Sequence, residues 1–395
     1  MICTTLALLL LQGAPPPVYA IASTTSDSRL PQDTICRDEE LFRRDYNDSW
    51  PRVMVTQQTW MSFLGDMDSD GLFDFPAGID AVALAAPDST TTPTLMDLWF
   101  SSDQDFLGFQ DGDILHLSPM GGVEVIYSEA DLYNLLQPTS GAIDIDALHF
   151  MENKVVRLSL ANNLTGTILG DLQDGDILDW TPEANIITVV ATEADVQAWV
   201  NHATGGTAAI GDVKALSMLP NSMVMAFTVQ APTAIDASVF SNENGGSLIP
   251  GWEENDWSFQ QSSELDALCF VPATLGQPLV LSTDVAYVQP GAPIQLRMHH
   301  ATPGAPLQGM VGTTFSIRSQ FLGQAGISVV NPYQGFSRTW PARNQPPLIA
   351  DSSGSASYDA MLPNLPPGAT SLTLWCQAAD PTGQGWSTPI VLRLE

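Results

Sequence analysis

The residues best suited to chemistry form an acidic loop that reads Asp66-Met67-Asp68-Ser69-Asp70-Gly71-Leu72-Phe73-Asp74. Aspartates at alternate positions followed by a glycine allow a tight turn. Such a turn directs three carboxylates inward, at the first, third and fifth positions of a calcium loop. A backbone carbonyl at the seventh position and a carboxylate at the ninth would complete the set. The sequence therefore predicts a Ca²⁺ site whose ligands are Asp66, Asp68, Asp70, Leu72 and Asp74.

This loop departs from an EF-hand at its twelfth position, where Ala77 stands in place of a bidentate glutamate. Asp80 is the nearest carboxylate that could substitute, and the flanking residues do not have a helical pattern. The loop instead resembles the short calcium loops of dockerin-like and thrombospondin-like secreted proteins. The alternative is a solvated, Asp-rich turn without a metal.

A second group of acids recurs along the middle of the chain, at the openings of the repeats described below. When the repeats are aligned at their first residues, one shared position is occupied by Asp80, Asp144, Asp212 and Glu264. Two residues later they carry Val82, Asp146, Lys214 and Asp266. Around a common axis, such carboxylates would have to bind a cation or retain a proton. A suitably spaced pair would even serve a glycosidase as acid and nucleophile. Repetition of aspartate before a strand favours the alternative, in which each caps its own turn.

Two tryptophans give a third candidate site. Trp252 and Trp257 lie in the acidic run Gly251-Trp252-Glu253-Glu254-Asn255-Asp256-Trp257. An exposed indole beside carboxylates and amides can stack on a sugar ring and bind its hydroxyl groups, so a carbohydrate site is predicted here. Packing of one or both rings in the core is the alternative.

The elements that would position these residues form an internal repeat. Three landmarks of residues 79–131 return 63 or 64 residues later. They are Ile79-Asp80-Ala81 with Ile143-Asp144-Ile145, Gln110-Asp111-Gly112-Asp113 with Gln173-Asp174-Gly175-Asp176, and Ser128-Glu129-Ala130-Asp131 with Thr192-Glu193-Ala194-Asp195. A weaker third copy opens at Gly211 and a partial fourth at Glu264. Each copy reads as two hairpins, and Glu193–Val200 has helical spacing after a Thr192 cap.

Four strands in about 60 residues are typical of a propeller blade, and a half copy at the end suits a ring closed by both chain ends. A compact threefold β arrangement or two stacked sheets would fit the same pattern. From Val288 onward, short alternating runs between Pro/Gly turns predict a β-sandwich of immunoglobulin-like size. We therefore predict an all-β chain of propeller-like, tandem four-stranded β-repeats with incomplete copies, followed by this sandwich. The predicted divisions are a signal peptide (1–20), an N-terminal segment (21–65), the repeats (66–284) and the sandwich (285–395).

These repeats resemble those of large, uncharacterised secreted bacterial proteins with Asp-Ala-Leu and Gly-Asp-Ile-Leu motifs. The run Leu365-Pro366-Pro367-Gly368, with Leu372-Thr373-Leu374-Trp375-Cys376, is similar to the sandwich that often ends them. The likeness covers roughly residues 66–395. Its motifs are structural, so the resemblance implies a fold and no activity.

Composition and the N-terminus bear on location and partners. The apolar run Leu6–Leu11, followed by Val18-Tyr19-Ala20, is typical of a secretory signal cleaved after Ala20. Cys36, Cys269 and Cys376 would remain, allowing one disulfide and one buried thiol. The 44 acidic and 13 basic residues give a net charge of −31. Such a charge disfavours nucleic acid and anionic membranes as partners and favours cations. No apolar stretch is long enough for membrane insertion.

Two functions follow from these observations. The first is a secreted, acidic, non-catalytic binding or structural protein of the cell surface or extracellular matrix, stabilised by calcium, with carbohydrate or cell-surface components as partners. The second is an extracellular glycan-active hydrolase that uses carboxylates from equivalent repeat positions. The sequence favours the first, because it contains no Gly-x-Ser-x-Gly, P-loop, His-Glu-x-x-His or Gly-x-Gly-x-x-Gly motif.

Overall fold

The computed structural model describes residues 18–394 apart from short segments. The residues left out are 30–34, 46–50, 65, 71, 85–97, 118–122, 152–153, 207–208, 221, 232–234, 236, 254–255, 258, 260–263, 273–279, 284–286, 300, 314, 322–323, 331–336, 342–345, 368, 381–384 and 388–389. Residues 1–17 of the predicted signal peptide lie outside the described residues.

The described residues up to Pro272 form twenty strands. Those before the repeats are β1 (Val18–Thr24), β2 (Ser28–Arg29), β3 (Ile35–Cys36), β4 (Leu41–Asp45) and β5 (Arg52–Val55). The first copy contains β6 (Ala81–Leu84), β7 (Leu98–Ser101), β8 (Ile114–Leu117) and β9 (Val123–Tyr127). The second contains β10 (Ile145–Phe150), β11 (Val156–Leu160), β12 (Leu164–Thr167), β13 (Gly170–Leu172), β14 (Ile177–Thr181) and β15 (Ile186–Ala191). The third contains β16 (Ala215–Met218), β17 (Met225–Thr228), β18 (Phe240–Ser241) and β19 (Ser247–Leu248), and β20 (Leu265–Pro272) follows.

These strands form four antiparallel sheets of four strands each. In strand order, sheet I is β6-β7-β8-β9, sheet II is β10-β11-β14-β15, sheet III is β16-β17-β18-β19 and sheet IV is β20-β1-β4-β5. Sheet IV joins the two ends of this region, since Ala22 on β1 pairs with Leu268 on one side and Phe42 on the other. Strands β12 and β13 form a separate hairpin, and β2 and β3 form a short ribbon.

The first strands of the four sheets surround a common axis. Strand β6 contacts β10, β10 contacts β16, β16 contacts β20, and β20 returns to β6. The propeller-like arrangement predicted from the repeats is therefore confirmed. Its ring is closed by pairing β1 with the partial fourth copy, as the half copy predicted.

Apolar side chains fill the four junctions between neighbouring sheets. Each junction contains an aromatic pair with ring centroids 4.9 to 5.9 Å apart: Trp60–Phe100, Tyr127–Trp180, Trp199–Phe227 and Trp252–Phe270. Because the inner strands of the sheets are buried on both faces, the ring is stabilised by burial at every junction, including the closing one.

A helix follows the outermost strand of three sheets. These helices are α1 (Gln57–Leu64), α2 (Glu129–Leu136) and α3 (Glu193–Thr204). Ser128 and Thr192 cap α2 and α3, and in both a capping box is completed by an aspartate three residues later. The helix predicted after Thr192 is thus confirmed, and it extends to Thr204.

The remaining strands form a β-sandwich. They are β21 (Val280–Ser282), β22 (Tyr287–Val288), β23 (Pro293–His299), β24 (Pro306–Gly312), β25 (Phe315–Phe321), β26 (Gln324–Val330), β27 (Ser337–Trp340), β28 (Leu348–Ile349), β29 (Ala356–Met361), β30 (Leu372–Asp380), β31 (Gly385–Trp386) and β32 (Ile390–Leu394). One sheet is β21-β23-β29 and the other is β22-β32-β30-β24-β27, with β28 and β31 attached to β24 and β30. Strands β25 and β26 form a hairpin. Leu296, Leu307, Leu374 and Leu392 lie in the core between the two large sheets.

The sequence did not predict strand β24, because a proline and two glycines interrupt its apolar pattern. The packing around Gly309 explains why one of these interrupting residues is a glycine. A β-carbon there would come within 1.9 Å of the Trp340 ring, so only glycine lets the indole pack on the strand. Packing outweighs strand propensity at this position.

Two of the predicted segment boundaries do not coincide with the boundaries between the ring and the sandwich in the structure. The predicted N-terminal segment, residues 21–65, supplies β4 and β5, most of β1, and helix α1 to the ring, so it is not a separate unit. At the other end, Val280 pairs with His299, which assigns β21 to the sandwich rather than to the repeats. The disulfide that three cysteines would allow is not formed: Cys36, Cys269 and Cys376 are all buried free thiols. Among the described residues no helix has the length and apolar character needed to cross a membrane.

Candidate functional site

The inner strands of the four sheets share one register. Each has a buried alanine opposite a buried serine or threonine of the next strand. The pairs are Ala81–Ser101, Ala147–Ser159, Ala215–Thr228 and Ala267–Ser23. The residues directly before these alanines are therefore equivalent: Asp80, Asp146, Lys214 and Asp266.

This register corrects the superposition made from the sequence. Asp80 is equivalent to Asp146, and not to Asp144 as predicted, because the first copy lacks the extra Ile-Asp dipeptide that precedes Ile145. Asp144, Asp212 and Glu264 lie two residues before Asp146, Lys214 and Asp266, and each precedes the first residue of its strand. The shared triplet Ile-Asp-Ala at residues 79–81 and 145–147 was the signal that could have given the correct register.

Carboxylates from three sheets meet at the axis. Asp80, Asp146 and Asp266 each place an oxygen within 4.8 Å of oxygens of the other two. Their residues are only 2 to 6% exposed. The convergence considered from the sequence is therefore present, although with a different set of residues. These aspartates do more than cap their own turns.

The fourth equivalent residue supplies the counter-charge. Lys214 Nζ lies 2.8 Å from Asp146 Oδ2 and 3.5 Å from Asp212 Oδ2. Burial alone would lower the pKa of Lys214, but the two carboxylates raise it, so the ammonium group stays charged. One lysine thus faces four buried aspartates, which we call the axial cluster: Asp80, Asp146, Asp212, Asp266 and Lys214.

The excess negative charge shifts the titration of the cluster. Burial, with the neighbouring carboxylates of Asp266 and Asp146, raises the pKa of Asp80. Burial also raises the pKa of Asp212, which shares a hydrogen bond with Asp146. Burial likewise raises the pKa of Asp266, although Lys214 opposes the shift. Carboxyl groups this close cannot all ionise without a cation. The raised pKa values favour a proton on Asp80, which is hydrogen-bonded to Asp266, and a proton on Asp212, which is hydrogen-bonded to Asp146.

Further carboxylates act on the cluster from its surroundings. Asp144 is half-buried, and burial together with the charges of Asp111 and Asp146 raises its pKa to about 7. Asp103 and Asp174 are also half-buried and act electrostatically on Asp266 and Asp212. The potential around the axis is therefore strongly negative, which attracts cations.

The Asp-Gly-Asp motifs build the turns beside the axis. The second aspartate of each is buried, and its carboxylate accepts hydrogen bonds from a turn amide and from the first amide of the following helix. Asp113 accepts from Gln110 N at 3.0 Å and Glu129 N at 2.8 Å. Asp176 accepts from Gln173 N at 3.0 Å and Glu193 N at 2.7 Å. These two acids therefore stabilise the turns and the starts of the helices that follow.

The buried hydroxyl groups opposite the alanines donate further hydrogen bonds to the backbone of these turns and strands. Ser101 Oγ donates to the carbonyls of Asp111 and Asp113, at 2.7 and 3.0 Å. Ser23 Oγ donates to Ile79 O at 2.6 Å and so connects sheet IV to sheet I directly before Asp80. Sequence reasoning missed these hydroxyls, since isolated serines in strands have no distinguishing pattern.

The structure brings together part of the predicted calcium loop. Oxygens of Asp66, Asp68 and Asp74 lie within 4.8 Å of one another on the surface. The carboxylate of Asp70 instead accepts the Leu72 amide at 2.7 Å, and Asp74 accepts the Met67 amide at 2.6 Å. The loop thus presents three carboxylates to one point, while Asp70 stabilises the turn. A third acidic group, Asp27, Asp38 and Glu39, has the same spacing.

The predicted sugar-stacking role of Trp252 and Trp257 is wrong. Their exposed fractions are 1% and 0%, because both rings pack between sheets III and IV. Trp257 Nε1 donates to Ala237 O at 2.8 Å. The guanidinium group of Arg44 lies 4.8 and 5.5 Å from the centroids of the Trp252 and Trp257 rings. Their acidic neighbours suggested a surface loop, but closure of the ring covers the indoles.

Comparison with known proteins gives no family. No protein family matches the sequence, and no curated protein matches it either. Among solved structures, a chitin binding domain from Burkholderia pseudomallei is 14% identical over 28% of this chain and 55% of its own, with a TM-score of 0.17. A mutant of Salmonella alpha-2-macroglobulin is 9% identical over 97% of this chain and 22% of its own, with a TM-score of 0.20. The chain thus spans about half of the first protein and about a fifth of the second, and neither likeness bears on fold or function.

Proposed function

We propose that this protein is a secreted, non-catalytic binding or structural protein of the cell surface or extracellular matrix. In this proposal the ring of sheets is a rigid scaffold, and carbohydrate or cell-surface components are its partners. The observation that carries the proposal is the burial of the axial cluster. Its acids come from equivalent strands of the ring and are paired with one another and with Lys214, where they link the sheets.

The same burial argues against the hydrolase alternative. A glycosidase needs one carboxyl group beside the glycosidic oxygen and a second beside the anomeric carbon, both reachable by a sugar ring. Asp80, Asp146 and Asp266 are at most 6% exposed, which leaves no access for a sugar. An arrangement of shared protons and an ion pair stabilises a closed ring instead.

The surface loop supports calcium as a stabilising ligand of this scaffold. Asp66, Asp68 and Asp74 present oxygens to one point, and oxygen ligands of this kind are those that Ca²⁺ prefers. Phe73 in the same loop packs with Met61 of α1 and Val391 of β32. A cation bound by the loop would therefore stabilise the contact between the ring and the sandwich.

A sedimentation assay with intact cells and with insoluble polysaccharides tests the proposal, with released reducing sugar measured in the same samples. We expect the full chain to sediment with one of these materials and to release no sugar. Sugar release that is lost in a folded Asp146→Asn variant would establish the hydrolase instead. Absence of sedimentation with every material would contradict the binding role.

A further inference from the structure

The axial cluster has the composition of a cation site that is separate from the surface loop. Asp80, Asp146 and Asp266 come from sheets I, II and IV, so their oxygens meet only when the ring is closed. All three side chains are hard oxygen donors, and no cysteine or histidine is among them. This donor set suits Ca²⁺ or Mg²⁺ and disfavours zinc or copper.

The charge of the cluster is unbalanced without a further cation. Four aspartates face one ammonium group, and among the described residues Lys214 Nζ lies within 4 Å of carboxylate oxygens of Asp146 and Asp212 only. A buried carboxylate needs an opposite charge or a proton. A divalent ion beside Asp80 and Asp266 would supply that charge to the pair that Lys214 does not reach.

An independent observation comes from Asp212. Its side chain is 8% exposed, and its Oδ1 atom has no hydrogen-bond partner among the described residues. The same carboxyl group is hydrogen-bonded to Asp146, one of the three converging acids. A buried oxygen without a partner is costly, and an ion or an ordered water molecule is the usual partner of such an atom.

We propose that the axis of the ring binds one hard divalent cation through Asp80, Asp146 and Asp266, with Asp212 Oδ1 accepting from a water of that ion or binding it directly. Lys214 remains the counter-charge of Asp146 and Asp212. The half-buried acids Asp103, Asp144 and Asp174 surround the cluster and raise the local cation concentration. The bound ion links three sheets and closes the ring more tightly than proton sharing does.

Calorimetric titration of the chelator-treated full chain with CaCl₂ and, separately, with MgCl₂ tests this site. The other two acidic groups, which contain Asp38 and Asp68, are first disabled by the substitutions Asp38→Asn and Asp68→Asn in one chain. We expect this double variant to retain one binding event and a cation-dependent rise in melting temperature. Adding Asp266→Asn to it should weaken that binding at least about tenfold and remove the rise.

Asp80→Asn, added to the same background, provides a second axial variant, and circular dichroism in chelator checks that each variant is folded. If neither axial variant folds, the double variant alone decides the question. A double variant without any response to Ca²⁺ or Mg²⁺ would overturn the proposal. Unchanged affinity in a folded Asp266→Asn or Asp80→Asn chain would overturn it too.

Discussion

Lys214 Nζ lies 2.8 Å from Asp146 Oδ2, and this contact joins the inner strands of sheets II and III across 68 residues of sequence. The carboxylate is almost fully buried and the lysine is largely so. The two residues occupy equivalent positions in successive repeats. One copy therefore replaces the aspartate of its neighbours with a lysine, and this single difference gives the axis its only nearby positive charge among the described residues.

Removal of the ammonium group should be costly. We expect Lys214→Met to lower the free energy of unfolding by about 3–5 kcal/mol, because it leaves Asp146 buried without its counter-charge. Chemical denaturation in the presence of a chelator measures this loss. The matched control is Lys154→Met, which breaks the exposed 2.6 Å pair with Glu183 and should cost at most about 1 kcal/mol. Equal effects of the two substitutions would mean that the axial pair is not stabilising.

The axial acids should make the protein more stable in mild acid when no cation is present. The pKa of Asp212 is raised in the folded protein, chiefly by burial, above its value in the unfolded chain. Its contribution is therefore fully present below the unfolded pKa, near 4, and is lost as the pH rises towards the folded pKa.

Asp212→Asn tests this dependence because the amide keeps a hydrogen-bond donor for Asp146 and removes the titration. In chelator, we expect the variant to be about 1–3 kcal/mol more stable than the parent near pH 8, with a smaller loss of stability between about pH 5 and pH 8. Urea unfolding across this range gives both values. The exposed substitution Glu243→Gln is the control, and an Asp212→Asn profile parallel to it would contradict the assignment.

The turn carboxylates should stabilise the helices that follow them. Asp176→Asn leaves one oxygen where two now accept from Gln173 N and Glu193 N. We expect a loss of about 1–2 kcal/mol and faster hydrogen exchange of the Glu193 amide. Asp113→Asn should have the same effect at Glu129, since the contacts are repeated there. The control is Glu183→Gln on the exposed surface. If the Glu193 amide exchanges as slowly in Asp176→Asn as in this control, Asp176 does not stabilise the start of α3.

Trp257 should behave as a core residue rather than a ligand-binding one. Trp257→Ala removes a fully buried ring, so we expect a loss of about 3–5 kcal/mol. Trp257→Phe retains most of the packing but removes the hydrogen bond from Trp257 Nε1 to Ala237 O, at a cost of about 1–3 kcal/mol. Thermal unfolding measures both. Loss of sugar binding in Trp257→Phe at unchanged melting temperature would restore the carbohydrate role.

Much of the architecture could be read from local patterns. The landmarks at offsets of 63 and 64 residues predicted repeated four-stranded units, because strand alternation and turn residues depend on near neighbours in sequence. The Thr192 cap likewise predicted α3, since capping is decided within one helical turn. The acidic loop at 66–74 was visible for the same reason, although the structure brings only three of its carboxylates together.

Contacts between distant residues were decided by the tertiary structure alone. Pairing of Ala22 with Leu268 makes the N-terminal strands part of the ring and covers Trp252 and Trp257, which local sequence placed on the surface. The register of the strands made Asp80 equivalent to Asp146, and closure of the ring brought both to Asp266. The sequence alignment of the repeats missed this equivalence because the second copy contains two additional residues. Composition gave an acidic chain, but only closure of the ring decided which acids are buried together, because burial and charge separation are properties of distances in space.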